Sequence, residues 1–513
     1  MSLKEIIFYG DDAFFYEFPD NVKIYYAKDP ISPIEDKEKA ILNAIDNPIN
    51  HDKLEALVNK NSRIAICFDD VSVPLPLAKK DVRAIAIKVV IEKLIKIGVK
   101  KENITLICAT GLHRKCKPKE LKKLLGNKII KMFKDHIFNH DASDENNLII
   151  LGNTEEGFEI ELNKLAVESD LIIYINITFT PLNGGWKSII VGLGTYKTII
   201  PHHSPEVLKE GAFMDPSNSG LHEVIWKMGR TIKDKIKVFT VEMVLNNSFY
   251  KGFFKKIYSP MKDASKKVPF WRRVALSLLR MMPAGIKASF RKKMKAGYDL
   301  IGVFAGEIEK THKSTLKLVK QQLNVPIEKQ YDAIIFGVPN VSPYNVNSTL
   351  NPLLLHGLVL GYLYNLYEGM SPLKKDGIII ISNPAKEKFD KKQHPSYIDF
   401  YYDILSKKPD IFNLKEIENE YLQNETYLEK YRYHYAYHGT HALMIYYWGV
   451  LGLLNTNKII VAGAKNDNVL KTLGFEKAKN LDDAITKVLE YKGKDCSIAY
   501  FCIPPIFVAE LKK

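Results

Sequence analysis

Apolar positions along this chain fall into a repeating alternation of two patterns. Residues 62–68 (SRIAICF) form a short apolar run bounded by polar residues, residues 81–98 repeat apolar positions at helical spacing, and residues 103–109 (NITLICA) return to strand character. A short run, a 3.6-residue period and a second run read as strand, helix, strand. The pattern continues with a helix over 118–125, strands over 148–151 and 170–177, and a helix opening at 204–211. A second alternating block begins near Tyr331. It holds strands over 332–337, 377–382, 458–463 and 496–502 and helices around 351–367, 395–405, 466–473 and 481–491. Such alternation predicts mostly parallel sheets flanked by helices. The expected fold class is α/β, with two α/β domains and a ligand site at strand C-termini facing the cleft between them.

Between the blocks lies a segment of different character, which sets expected domains of 1–247, 248–298 and 299–513, the last segment free to return to the N-terminal domain. From Lys251 to Lys295 there are 14 lysines and arginines against one acidic residue, Asp263. Phe249, Tyr250, Phe253, Phe254, Phe270, Trp271 and Phe290 are interleaved with them. Two readings stay open: an interfacial amphipathic segment meeting a membrane or a partner, and, preferred, a solvated lid or subunit-contact hairpin packing its own aromatics. Nucleic acid is not an expected partner, because no recognised fold frames the charge.

Composition narrows the class. The 513 residues are 46% hydrophobic and 26% charged, the balance of a soluble globular protein rather than a disordered one. The net charge of +15 is almost wholly local to the basic segment. The first 20 residues contain Asp11, Asp12, Glu17 and Asp20 and no signal-peptide-like run, and the longest apolar stretch, 442–454, is shorter than the roughly 20 residues of a membrane span. A cytoplasmic protein is expected. Five cysteines, an odd number without C-x-x-C pairing, argue against a disulfide framework or structural zinc.

The chemistry-bearing residues gather in four stretches: Thr110-Gly111-Leu112-His113-Arg114, Asn139-His140-Asp141, Gly184-Gly185-Trp186-Lys187 and His202-His203-Ser204-Pro205. A lysine amine can anchor a group covalently, and a neutral imidazole is both a metal ligand and an acid/base near pH 7. Thr110-Gly111 opens a turn after a strand, the geometry that presents amides to phosphate. Lys187 does not belong to a P-loop, since Trp186 and Pro181 stand where that motif needs glycines. Ser204-Pro205 is a helix start with Ser204 as N-cap. His434, His438 and His441 are spaced i, i+4 and i+7, but Gly439-Thr440 interrupts the helix, so a cleft wall or surface patch is preferred over a metal site.

In order and spacing, T-G-x-H-R, N-H-D, G-G-x-K and H-H-S-P, followed by His222-Glu223 after Asp215-Pro216-Ser217-Asn218, resemble the nickel-dependent lactate racemase (LarA-type) family. The match runs in register over 64–223 and more loosely through the second block. The resemblance implies a nickel pincer nucleotide: a pyridinium mononucleotide joined to a lysine through a thioamide, its nickel held by two sulfurs, one carbon and a histidine. Lys187 matches the covalent lysine and His203 the nickel ligand. His113 matches one of two acid/base histidines. Asp70 matches an aspartate expected, with the Thr110-Gly111 turn, to position the cofactor's ribose and phosphate. The implied activity is an isomerase reaction, racemisation or epimerisation at a hydroxyl-bearing carbon by hydride transfer.

Three departures shift the expected substrate from lactate toward another small hydroxy acid or a polyol-type molecule. Where the family has its second histidine, this chain reads Asn176-Ile177-Thr178-Phe179-Thr180. Val73 stands where the family has a carboxylate-clamping arginine. The family's glutamine and lysine in the second domain are missing from residues 343–350, leaving Asn347, Ser348 and Asn351 as polar stand-ins. The alternatives are a non-racemising cofactor-binding or one-sided hydride-transfer homologue, and a peripheral membrane or partner-binding protein using the basic segment.

Overall fold

The computed structural model describes residues 3–511 except Lys79 and Ala264. The alternation folds into two six-stranded sheets. The first runs, in spatial order, Leu300–Gly306, Val238–Leu245, Leu171–Thr178, Ile64–Asp69, Ile104–Ala109 and Ile137–Asn139. Every pair is parallel except Leu300–Gly306 with Val238–Leu245. Its central strands are buried on both faces, which is why they read as continuous apolar runs instead of alternating ones. Helix Val82–Ile97 crosses between two of them, opened by Asp81, whose side chain accepts from the Arg83 N–H, and closed by Gly98 at φ +105°.

The second sheet runs Glu476–Ala478, Thr456–Ala462, Leu373–Ser382, Tyr331–Gly337, Ile498–Cys502 and Val22–Tyr26, all parallel. The expected α/β class with mostly parallel sheets is what the chain forms.

The chain crosses between the sheets elsewhere than at 247/248 and 298/299. Val22–Tyr26 is an edge strand of the second sheet, and the hairpin Leu3–Tyr9/Asp12–Phe18 joins it there, with Tyr500 Oη donating to the Ile6 carbonyl at 2.7 Å. Leu300–Gly306 closes the first sheet instead of opening the second. The final strand, Val508–Leu511, pairs with Asn324–Ile327 and Tyr367–Glu368. Periodicity predicts an element; it does not choose the element's partner across several hundred residues.

The basic segment forms three helices, Gly252–Tyr258, Phe270–Met281 and Ala284–Lys293. It is tied to the N-terminal hairpin by ion pairs of Lys287 with Asp12 and Arg291 with Asp11. Phe249, Tyr250, Ile257 and Leu276 are buried, whereas Phe253, Phe270, Trp271 and Phe290 are exposed. The segment therefore packs only part of its own aromatic set.

Candidate active site

A cavity opens where the loops following the first sheet's strands meet residues of the second block. Thr110, His113, Lys187 and His203 line it from one side, Tyr344, Tyr362, His441 and Trp448 from the other.

His113 is aimed by the turn after Ile104–Ala109. Gly111 sits at φ +52°, and a Cβ there would lie 2.5 Å from the Val191 carbonyl oxygen. Its N–H donates to the Gly192 carbonyl at 3.0 Å, and Thr110 Oγ1 donates to the His140 carbonyl at 3.0 Å. The Gly111 amide expected to meet a phosphate is thus engaged within the fold, and what the turn delivers is the His113 side chain. His113 Nδ1 lies 2.9 Å from Asp70 Oδ2, while Asp70 Oδ1 accepts from the Ser72 N–H at 2.9 Å and from its hydroxyl. Burial pushes the Asp70 carboxyl up, but His113 and Ser72 outweigh it and hold it below the usual carboxylate range. A carboxylate accepting at Nδ1 leaves Nε2 facing the cavity. Asp70 therefore backs His113.

Lys187 follows two glycines that the local packing requires. Gly184 and Gly185 have φ +93° and +59°, and a Cβ on Gly185 would lie 2.8 Å from His312 Cδ2. Behind them is a buried web: Glu242 accepts from the Gly185 N–H at 2.7 Å, His312 Nδ1 lies 3.0 Å from Glu242 Oε2, and Asn176 donates to Thr178, which donates to Glu242. Asn176 and Thr178, in the stretch lacking the family's second histidine, belong to this web, and Ile177 is buried in the apolar core. Burial lowers the Lys187 ammonium to about 8, against the pull of Asp69 and Asp70. About a tenth of it is neutral amine at pH 7.

His203 ends the helix Tyr196–His203, and the next helix, Pro205–Leu208, starts after Ser204, which makes no side-chain capping bond. His203 Nδ1 lies 2.7 Å from His202 Nδ1 and 3.2 Å from the Ile199 carbonyl, and with its Nδ1–H donated to either, Nε2 keeps a lone pair. Burial, helped by Lys187, lowers this imidazole to about 3, so it is neutral. Among the described residues no three His, Cys, Asp or Glu side chains converge as a metal site. His203 is one imidazole, suited to a metal whose other donors arrive with it.

The remaining histidines divide sharply. His140 is fully buried between the Gly194 carbonyl and Asn163, and Asn139 brackets the Cys116 backbone, so that motif holds the loop carrying His113. His222 contacts the Phe213 carbonyl through Nε2. His434 is exposed beside Glu429 and His438 is buried against Thr440. Only His441 of that trio lines the cavity. Its Nδ1 lies 2.6 Å from Tyr397 Oη and its ring centroid 5.3 Å from that of His113. Helices Glu425–Tyr433 and His441–Tyr447 are separate, so the i, i+4, i+7 spacing never shares one face.

Among the described residues no arginine side chain lines the cavity. Ser72, Val73 and Pro74 line it, Arg83 is engaged by Asp81 and the carbonyls of Asp69 and Asp70, and Arg114 forks onto Glu120 at 2.8 Å through both nitrogens. Asn347 donates to Glu120 at 2.9 Å, away from the wall, and Asn351 caps a helix. Ser342 and Tyr344 line the cavity, whereas Asn347, Ser348 and Asn351 do not.

Residues 9–215 match the lactate racemase N-terminal domain. The chain is 25% identical over 299 residues to a lactate racemase of Lactiplantibacillus plantarum, a match covering 56% of this chain and 55% of that protein. It is 28% identical over 177 residues to one of Thermoanaerobacterium thermosaccharolyticum, covering 34% and 39%. The chain thus spans about half, and about two-fifths, of the length of the curated relatives it matches. The solved lactate racemase apoprotein of the latter organism superposes with a TM-score of 0.66 at 19% identity, over 99% of this chain and 100% of that one. A solved Thermotoga maritima protein follows at 0.50 and 16%, over 95% and 100%. At such identities the superpositions show a shared fold.

Proposed function

The chain belongs to the lactate racemase (LarA-type) family, and from that premise we propose a racemase or epimerase acting by hydride transfer at a hydroxyl-bearing carbon, on a substrate other than lactate. One observation carries the reading: Lys187, His203 and His113 converge on a single cavity. They fit a nickel pincer nucleotide, with Lys187 the covalent anchor and His203 Nε2 the imidazole donor beside the cofactor's soft sulfurs. When bound, that group supplies a reversible hydride acceptor. His113 takes the hydroxyl proton through Nε2 and returns it, acting as base and then acid. Asp70, 2.9 Å from Nδ1, fixes which ring nitrogen meets the substrate. His441, held at Nδ1 by Tyr397, packs edge to face beside His113. Leu112, Val191, Ile199 and Met214 keep the wall apolar and limit water.

The substrate class follows from what the wall offers. Among the described residues no guanidinium lines the cavity, and its polar lining includes Ser72, Thr180, Asn183, Ser342, Tyr344 and Tyr362. These suit hydroxyls of a hydroxy acid or polyol-type molecule better than a lone carboxylate. A one-sided hydride-transfer enzyme is the second reading, favoured by the stretch where the family has its second histidine being taken up by the Asn176–Thr178–Glu242 web. Protein produced together with the cofactor pathway tests both. An adduct on Lys187 in the intact mass, with bound nickel, is expected; absence of both overturns the two readings. Loss of optical purity across a panel of 2-hydroxy acids and sugar acids then separates racemase from one-sided enzyme.

A further inference from the structure

Helix Phe270–Met281 is docked by one face and bare on the other. Leu276 is buried, and the Arg272 guanidinium donates to the Ile257 carbonyl at 2.7 Å and covers the Phe15 ring. The opposite face consists of Phe270, Trp271, Val274, Leu278 and Met281, between 39% and 80% exposed. Phe253 and Ile286, on the flanking helices, are exposed as well. A contiguous apolar patch of this kind, rimmed by charge, marks an interaction surface. Its rim is basic: Lys255, Lys256, Arg273, Lys292 and Lys293 are all exposed.

The charge selects the occupant. A second copy of the chain would bring 14 more basic residues and one acidic residue to the same face, and the two would repel. Acidic headgroups would be attracted, while apolar side chains enter the acyl boundary and long basic ones reach back to the phosphates. We propose that residues 251–295 seat the protein on an anionic lipid surface, with helix Phe270–Met281 lying flat in the interface. Twelve residues suit that posture, and among the described residues no helix is long and apolar enough to cross a membrane. The seat also adjoins the cavity. An apolar crevice walled by Leu279 and Phe290 shares Phe249, Pro339, Val341 and Pro504 with it, so docking brings the flank of the catalytic chamber against the bilayer.

Flotation of the full chain with lipid vesicles tests this. The protein is expected to rise with vesicles containing phosphatidylserine, to rise at least tenfold less with phosphatidylcholine alone, and to be released by high salt. The variant carrying Phe270→Ser, Trp271→Ser, Leu278→Ser and Met281→Ser alters exposed positions only. It is expected to keep the wild-type unfolding transition and to lose at least nine-tenths of its flotation. Three outcomes overturn the proposal: no flotation of the wild type, equal flotation of variant and wild type, or equal flotation with neutral and acidic vesicles. A wild-type dimer in sedimentation that the variant abolishes also overturns it, by making the face a contact between copies.

Discussion

Replacing Lys187 by methionine should stabilise the cofactor-free protein at neutral pH while removing the proposed anchor. Burial lowers this ammonium from 10.5 to about 8, so at pH 7 folding holds a charge where the surroundings favour a neutral amine. At 1.36 kcal/mol per unit the penalty is about 3 kcal/mol. The folded value lies below the unfolded one, so between pH 8 and 10.5 the unfolded chain binds more protons and stability rises with pH. Below that window the penalty is constant; at pH 9.5 roughly half of it remains. Methionine keeps the length and the apolar stem and deletes the charge. Denaturant unfolding of both proteins should therefore show the variant ahead by about 3 kcal/mol at pH 7 and by about 1.5 kcal/mol at pH 9.5. A variant less stable than wild type at pH 7, or a gap that does not change with pH, refutes the claim that Lys187 sits desolvated in the cavity wall. The expected result would place it among residues retained for chemistry against stability.

Gly185→Ala should lose about 1–3 kcal/mol in the same unfolding assay, because it puts a Cβ 2.8 Å from His312 at φ +59°; an unchanged midpoint would mean the Glu242–His312 web yields easily. His203→Ala made with the cofactor pathway should keep the mass adduct on Lys187 and lose its nickel, and full nickel retention would remove His203 as the ligand. On any substrate the panel identifies, His113→Ala should slow turnover by about 10²–10⁴-fold. Asp70→Asn should slow it less, by about 10–100-fold, through loss of ring orientation; a rate equal to wild type would leave Asp70 without a positioning role.

The parallel strands were legible because strands covered on both faces are written as unbroken apolar runs, and SRIAICF and NITLICA are such runs. The placement of Lys187, His203 and His113 at turns and helix ends was legible because each motif is local. His441 was legible only as one of three histidines of a cleft wall or surface patch, since its apparent helical spacing with His434 and His438 spans two helices and the loop between them. Glu242 and His312 carried no signal, one lying in an apolar strand and the other in an amphipathic helix, each meaningful only once they meet behind Gly185. The Thr110-Gly111 turn was located correctly, but which carbonyl would take the Gly111 amide depended on the distant Gly192. Local pattern specifies geometry within a few residues, and hydrogen-bond partners across the sheet come from topology.

Among the described residues Val22–Tyr26 pairs in its sheet with one strand, Ile498–Cys502. During synthesis this strand is made several hundred residues before its neighbour, so the second sheet cannot reach its native width until Ile498–Cys502 has been made. The strand's unpaired edge must meanwhile wait or be shielded, and any expression fragment ending before residue 498 leaves it without a native place to go.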